Sequence, residues 1–183
     1  MQEYLRVKFS GIEEIDDSIT LKIDVCAWDK IFRKDIIDKY RIQFPDGKIF
    51  EDNYFYWVYI SHCKRVYFDN RCWHRYLKRS GSITESFNSM TNVWDRLDIV
   101  NIVFMEFKKY GNLKGHSERN EIILLDGFYH AFNNSTPKGK CIVLLKAVFI
   151  ECKYHSTNNA MIKCAMNIIT TFIKEKINQK KKR

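Results

Sequence analysis

The feature that most constrains this chain is an apolar stripe near its end. Met161, Ile162, Ala165, Ile168, Ile169, Phe172 and Ile173 recur at spacings of three and four, the period that lines one face of an α-helix. Asn158 stands at the position of an N-cap, where a side-chain oxygen accepts from the first free backbone N–H groups. Apolar side chains are worth about 1.5–3 kcal/mol each when fully buried, so such a stripe demands a surface to cover it. Docking on a sheet is the expectation. Past Ile177 no apolar residue follows, and Lys180, Lys181, Lys182 and Arg183 read as a free basic arm.

The sheet is expected upstream. Residues 4–9 and 18–28 read as strands, the second with Ile19, Leu21, Ile23 and Val25 alternating against Thr20, Lys22 and Asp24. Asp16-Asp17 fits the turn between them. Asp29 to Tyr40 carries Ile31, Phe32, Ile36 and Ile37 at helical spacing, and Pro45-Asp46-Gly47 is a turn. Strands are then predicted at about 48–60 and 64–69, and again at 121–125 and 141–153, the last pair separated by the turn-rich residues 133–139. Residues 85–110 fit a helix and a strand almost equally, and Gly111 to Asn120 reads as a polar, mobile loop. With 45% hydrophobic and 15% aromatic residues, seven Gly and two Pro, the chain can bury a core, which excludes disordered and collagen-like classes. The predicted class is α+β: mainly antiparallel sheet in the first half, closed by the amphipathic C-terminal helix. Residues 1–178 read as one domain, with the best internal break near 79–86, and 179–183 as its basic tail.

Met1-Gln2-Glu3-Tyr4-Leu5-Arg6 offers no apolar stretch for a signal peptide. The apolar run from Cys141 to Leu145 is broken by Lys146, far short of the ~20 residues of a spanning helix. Six cysteines form no Cys-x-x-Cys pair and read as free thiols. An intracellular protein, soluble or peripheral to a membrane, is the expectation.

The net charge is +9, and two segments carry all of the excess. Lys64, Arg65, Arg71, Arg75, Lys78 and Arg79 face one acid, Asp69; Lys174, Lys176 and Lys180 to Arg183 face one acid, Glu175. Patchy basicity points to an anionic partner, either nucleic acid or an acidic membrane surface. The first cluster is interleaved with Tyr67, Phe68, Trp73 and Tyr76 and is preceded by the aromatic run from Tyr54 to Tyr59. Aromatic faces beside cations suit the stacking of unpaired bases, and equally the headgroup level of a membrane. A buried hairpin is the bland alternative, since aromatic runs also build strands.

Two constellations carry catalytic or metal chemistry. On a strand, Glu151 and Lys153 would share a face, the carboxylate binding a divalent metal while the lysine steadies a water. With Asp126 this resembles the Asp…Glu-x-Lys signature of the metal-dependent nuclease superfamily, which would make the chain a metal-dependent nuclease; the proline-aspartate pair often seen there is missing. His62, Cys63, Cys72 and His74 form a weaker zinc candidate, because adjacent residues on a strand point opposite ways. No glycine-rich phosphate loop or nucleophile elbow is present.

Tyr4 to Lys8, then Ile19 to Val25, resemble the opening strands of matrix proteins of negative-strand RNA viruses, the small bornavirus type in particular. Asn159 to Asn167 is similar to the closing helix of that type, and small rhabdovirus matrix proteins share the size and basicity. The resemblance implies a β-rich, self-associating protein without catalytic residues or cofactor, bridging ribonucleoprotein and acidic membrane. The sequence expectation is therefore a non-catalytic assembly protein, with a plain nucleic-acid-binding module as the simpler variant. Its polyanion contacts would be Lys64, Arg65, Arg71, Arg75, Lys78, Arg79 and Lys180, Lys181, Lys182 and Arg183.

Overall fold

The structure, a computed structural model, describes residues 10–75, 77 and 90–154. It is mixed α+β and mostly helical: β1 (Gly11–Glu14), α1 (Asp17–Lys22), α2 (Lys34–Tyr40), α3 (Glu51–Ile60), β2 (Arg65–Phe68), α4 (Met90–Tyr110), α5 (Ser117–Asn133) and α6 (Pro137–Tyr154). The sheet expected to dominate the first half is thus reduced, among the described residues, to one antiparallel pair, β1 with β2. Of the other expectations, the strand at 4–9, the break at 79–86 and the helix and tail after 158 lie outside the described residues.

Local chemistry explains each replaced strand. At 18–28, Asp16 caps a helix: its Oδ1 accepts from the Ile19 amide at 2.7 Å, and that bond holds its carboxyl below the usual range. The alternating apolar residues still turn inward: Ile19 is buried in α1, and Leu21 from α1 and Ile23 and Val25 from the chain after it pack against the core. The predicted strand at 48–60 is the helix α3, buried nearly all round. Its aromatic run serves two cores at once. Tyr56, Trp57 and Ile60 enter the main cluster, while Phe55, Val58 and Tyr59 enter a second one with Ile42. A helix that is apolar all round carries no periodicity to distinguish it from a buried strand.

The predicted strands at 121–125 and 141–153 are parts of α5 and α6. In α5 the buried residues Ile123, Leu124, Gly127, Phe128 and Ala131 follow helical spacing. In α6 Val143, Ala147, Ile150 and Tyr154 do the same. The helix begins at Pro137, inside the predicted turn; proline's fixed φ and missing N–H suit a first helical position, and Thr136 Oγ1 accepts from the Gly139 amide at 3.2 Å. The expected helix over 29–40 shortens to α2. No helix among the described residues is long and apolar enough to cross a membrane.

The long helix α4 packs against α3, α5 and α6 and supplies the centre of the core: Leu97, Val103 and Phe104 are wholly inaccessible to solvent. It meets α5 closely at Gly127, where an added Cβ would stand 2.5 Å from Val100 Cγ2. Polar ties fix the periphery. Lys48 Nζ donates to Asp95 and Asp98 at 2.8 Å each, and Lys146 of α6 pairs with the same Asp98. The segment read as a mobile loop at 111–120 is fastened instead. Buried Arg119 donates to the Asn112 carbonyl at 2.6 Å, Asn120 Nδ2 to that of Leu113 at 2.9 Å, and Gly111 and Gly115 take the left-handed turns. Burial pushes the Arg119 guanidinium down to about 10, and its Cζ stands over the Phe107 ring, 4.4 Å from the ring centre.

Candidate nucleic-acid interface

The β1–β2 ribbon leaves the core at Ile15, whose amide donates to the Lys64 carbonyl at 2.9 Å. Register pairs Gly11 with Phe68, Ile12 with Tyr67, Glu13 with Val66 and Glu14 with Arg65. Because side chains alternate along a strand, Ile12, Glu14, Arg65 and Tyr67 share one face, and all four are exposed. Ile12 and Tyr67 are 64% and 63% exposed although they stand directly opposite each other.

The segment after β2 is exposed from Asn70 to Arg75. Asp69 accepts from the Arg71 side chain at 2.7 Å and from its backbone N–H at 3.0 Å, and these bonds hold its carboxyl well below the usual carboxylate range. The same clamp lays the Arg71 guanidinium 4.4 Å from the centre of the Trp73 ring. Trp73 is 72% exposed. Next to it the His74 ring lies 5.0 Å from that of Trp28, which is also exposed. Lys64, Arg65 and Arg75 make no ion pair among the described residues and are exposed. An exposed indole with a cation on one face, with exposed lysine and arginine side chains nearby in sequence, matches the chemistry that grips a single-stranded phosphate backbone and stacks its bases.

Of the polyanion-binding residues expected from sequence, Lys64, Arg65, Arg71 and Arg75 are exposed in β2 or the segments beside it; Lys78, Arg79 and Lys180 to Arg183 lie outside the described residues. Sequence reading missed Ile12 and Trp28. Ile12 was hidden by its position, one short strand after the predicted one, and only the alternation of Ile12 and Glu13 signalled it. The aromatic run of α3, readable from sequence either as a binding feature beside the basic cluster or as a buried element, is buried from Phe55 to Tyr59.

The candidate catalytic residues do not form a site of the expected kind. Glu151 and Lys153 sit on a helix, where a two-residue step turns about 200° and sends the side chains to opposite faces. Glu151 is buried at 3% exposure, whereas Lys153 is exposed, near Asn101 Oδ1 at 3.5 Å. Asp126 is paired with Arg96. The zinc candidate disperses as well. His62 stacks on Tyr40 with ring centres 3.5 Å apart, and the Cys63 thiol, raised to about 11 by burial, faces the Tyr59 carbonyl. The Cys72 thiol faces the His74 carbonyl. Among the described residues no three His, Cys, Asp or Glu side chains are grouped to hold a metal ion.

The chain matches no protein-family model, no curated protein and no solved structure.

Proposed function

We propose that the exposed face of the β1–β2 ribbon, with residues 69–75, binds a single-stranded polyanion, RNA or ribonucleoprotein foremost, and that the chain is a non-catalytic assembly protein. The observation that carries this reading is Trp73: it is 72% exposed, with Arg71 against one face and Lys64, Arg65 and Arg75 in the same segment. A solvent-exposed indole has no role in the core, and each base stacked on such a platform contributes about 1–3 kcal/mol.

The cations set position and salt dependence through phosphates, without reading sequence. Tyr67 and Ile12 add an apolar surface on which a sugar or a second base would rest. The matrix-type role implied by the sequence resemblance, self-association and contact with acidic lipid, is part of the same proposal. Titrating the full chain with fluorescent oligo-uridine, duplex RNA and phosphatidylserine vesicles separates the partners. Tightest binding to the single strand supports the reading. Binding to vesicles alone would move the function to the membrane, and binding to none would remove it.

A further inference from the structure

Three cations far apart in sequence meet at one cavity. Lys39 and Arg41 close the short helix α2, and Lys109 lies in the last turn of α4. With Tyr54 of α3 and Glu106 and Tyr110 of α4 they line a space of about 430 Å³, a volume in the range of small-molecule sites. Lys109 pairs with Glu106 Oε2 at 3.2 Å and stands over the Tyr110 ring, 4.7 Å from its centre, so the acid offsets one cation and holds it. Lys39 and Arg41 are exposed and make no ion pair among the described residues. The cavity lining therefore carries an excess of two positive charges.

The backbone at Arg41 is unusual. It takes the left-handed conformation, φ 52° and ψ 44°, at the end of α2, where glycine is the common choice because a Cβ crowds the next carbonyl. Stability alone would favour glycine there, and costly backbone conformations cluster at ligand sites. Beside it Tyr40 is fixed on two sides, stacked on His62 with ring centres 3.5 Å apart and edge-on to Tyr110. Tyr54 is half-buried, and burial raises its phenol above the ordinary value, so its hydroxyl stays a proton donor.

We propose that this cavity binds a sugar phosphomonoester, with its phosphate on Lys39, Arg41 and Lys109 and its sugar against Tyr54 and Glu106. Two uncompensated positive charges match a dianion, and the planar guanidinium of Arg41 suits two phosphate oxygens at once. Inorganic phosphate would leave most of the space unfilled. The lining beyond the cations carries hydroxyl chemistry: the Tyr54 phenol donates, and Glu106 Oε1, not used by Lys109, accepts from a sugar hydroxyl. No residue of the cavity belongs to β1, β2 or residues 69–75, so the site stands apart from the proposed RNA surface.

Isothermal titration calorimetry of the full chain with ribose 5-phosphate, ribose and inorganic phosphate tests the proposal. Ribose 5-phosphate is expected to bind at least tenfold more tightly than inorganic phosphate, and ribose not at all. Arg41→Gly should weaken ribose 5-phosphate at least tenfold while the melting temperature holds or rises, since glycine adopts the left-handed turn freely. Lys39→Gln, at an exposed position, should weaken it as well. Because ribose 5-phosphate carries no base, stacking on Trp73 cannot produce its binding, and a failure here leaves the RNA reading untouched. No binding of ribose 5-phosphate, equal affinity for inorganic phosphate, or binding that survives both variants overturns the proposal.

Discussion

Arg71 stands over Trp73, with Cζ 4.4 Å from the ring centre, and its guanidinium donates to Asp69 at 2.7 Å. The relationship makes one acid part of a basic site. Asp69 lowers the local charge but fixes the guanidinium, and so leaves one face of the indole for a ligand. Trp73→Ala is expected to weaken single-stranded RNA binding by about 1–3 kcal/mol, or roughly 5- to 150-fold, with an unchanged circular dichroism spectrum. Fluorescence anisotropy on oligo-uridine measures it, and equal affinity for the variant would show that the ring does not stack.

The close approach of α4 and α5 gives a prediction about stability. Alanine at position 127 gains up to ~1 kcal/mol of helix propensity, but its Cβ would stand 2.5 Å from Val100 Cγ2. Overpacking costs about 1–3 kcal/mol, so Gly127→Ala should lower the urea midpoint. Val100→Ala alone should also destabilise. Combined, the two should be less damaging than their sum, by double-mutant cycle. Simple additivity would mean that the two helices separate without cost at this point.

Two histidines make stability fall in mild acid. Burial holds His62 and His130 below the ordinary imidazole value; Lys39 adds to this at His62, where Glu106 opposes, and Arg96 adds at His130, where Asp126 opposes. His62 Nε2 and His130 Nδ1 are buried with no hydrogen-bond partner among the described residues. Below about pH 6.5 the unfolded chain therefore takes protons that the folded chain refuses, and stability declines as pH falls through the folded-state values. Asp98 acts lower down: burial raises its pKa, but bonds from Lys146 and Lys48 outweigh this and lower it. Its contribution is present above the ordinary carboxylate range and is lost as pH falls through the folded value. Urea midpoints should drop from pH 7.5 to pH 5.5 and drop further below pH 4. A midpoint that is flat or rises between pH 7.5 and 5.5 would show that the imidazoles are not held neutral.

Hydrolysis is not expected. With Glu151 buried and Lys153 exposed on opposite sides of α6, the pair lacks the shared face that metal-assisted attack on a phosphodiester requires. The purified protein with Mn²⁺ should leave single- and double-stranded DNA and RNA intact. Cleavage that disappears in Lys153→Ala would restore the nuclease reading.

The sequence showed where apolar side chains go better than what the backbone does. Ile19, Leu21, Ile23 and Val25 alternate as a strand would; Ile19 is buried and the other three pack against the core, but the bond that the Ile19 amide donates to Asp16 caps a helix over the first half of the segment. In α3 and α6 the pattern was masked for one reason: each helix carries apolar side chains on two faces, so the 3.6-residue period averages away. The basic cluster was legible because charge needs no fold to be counted. The pairing of Ile12 with Tyr67 was not, since it joins segments more than fifty residues apart through a register that four-residue strands scarcely encode.

The salt dependence of RNA binding tests the central claim most directly. The logarithm of the affinity of the full chain for oligo-uridine should fall linearly with the logarithm of salt concentration. Each phosphate contact contributes about 0.7 to that slope for a single strand. Replacing Lys64, Arg65, Arg71 and Arg75 together with Ser, all exposed, should flatten the slope by about two to three units without changing the melting temperature by more than ~2 °C. A slope unchanged in a folded variant would place the polyanion contact elsewhere and contradict the account.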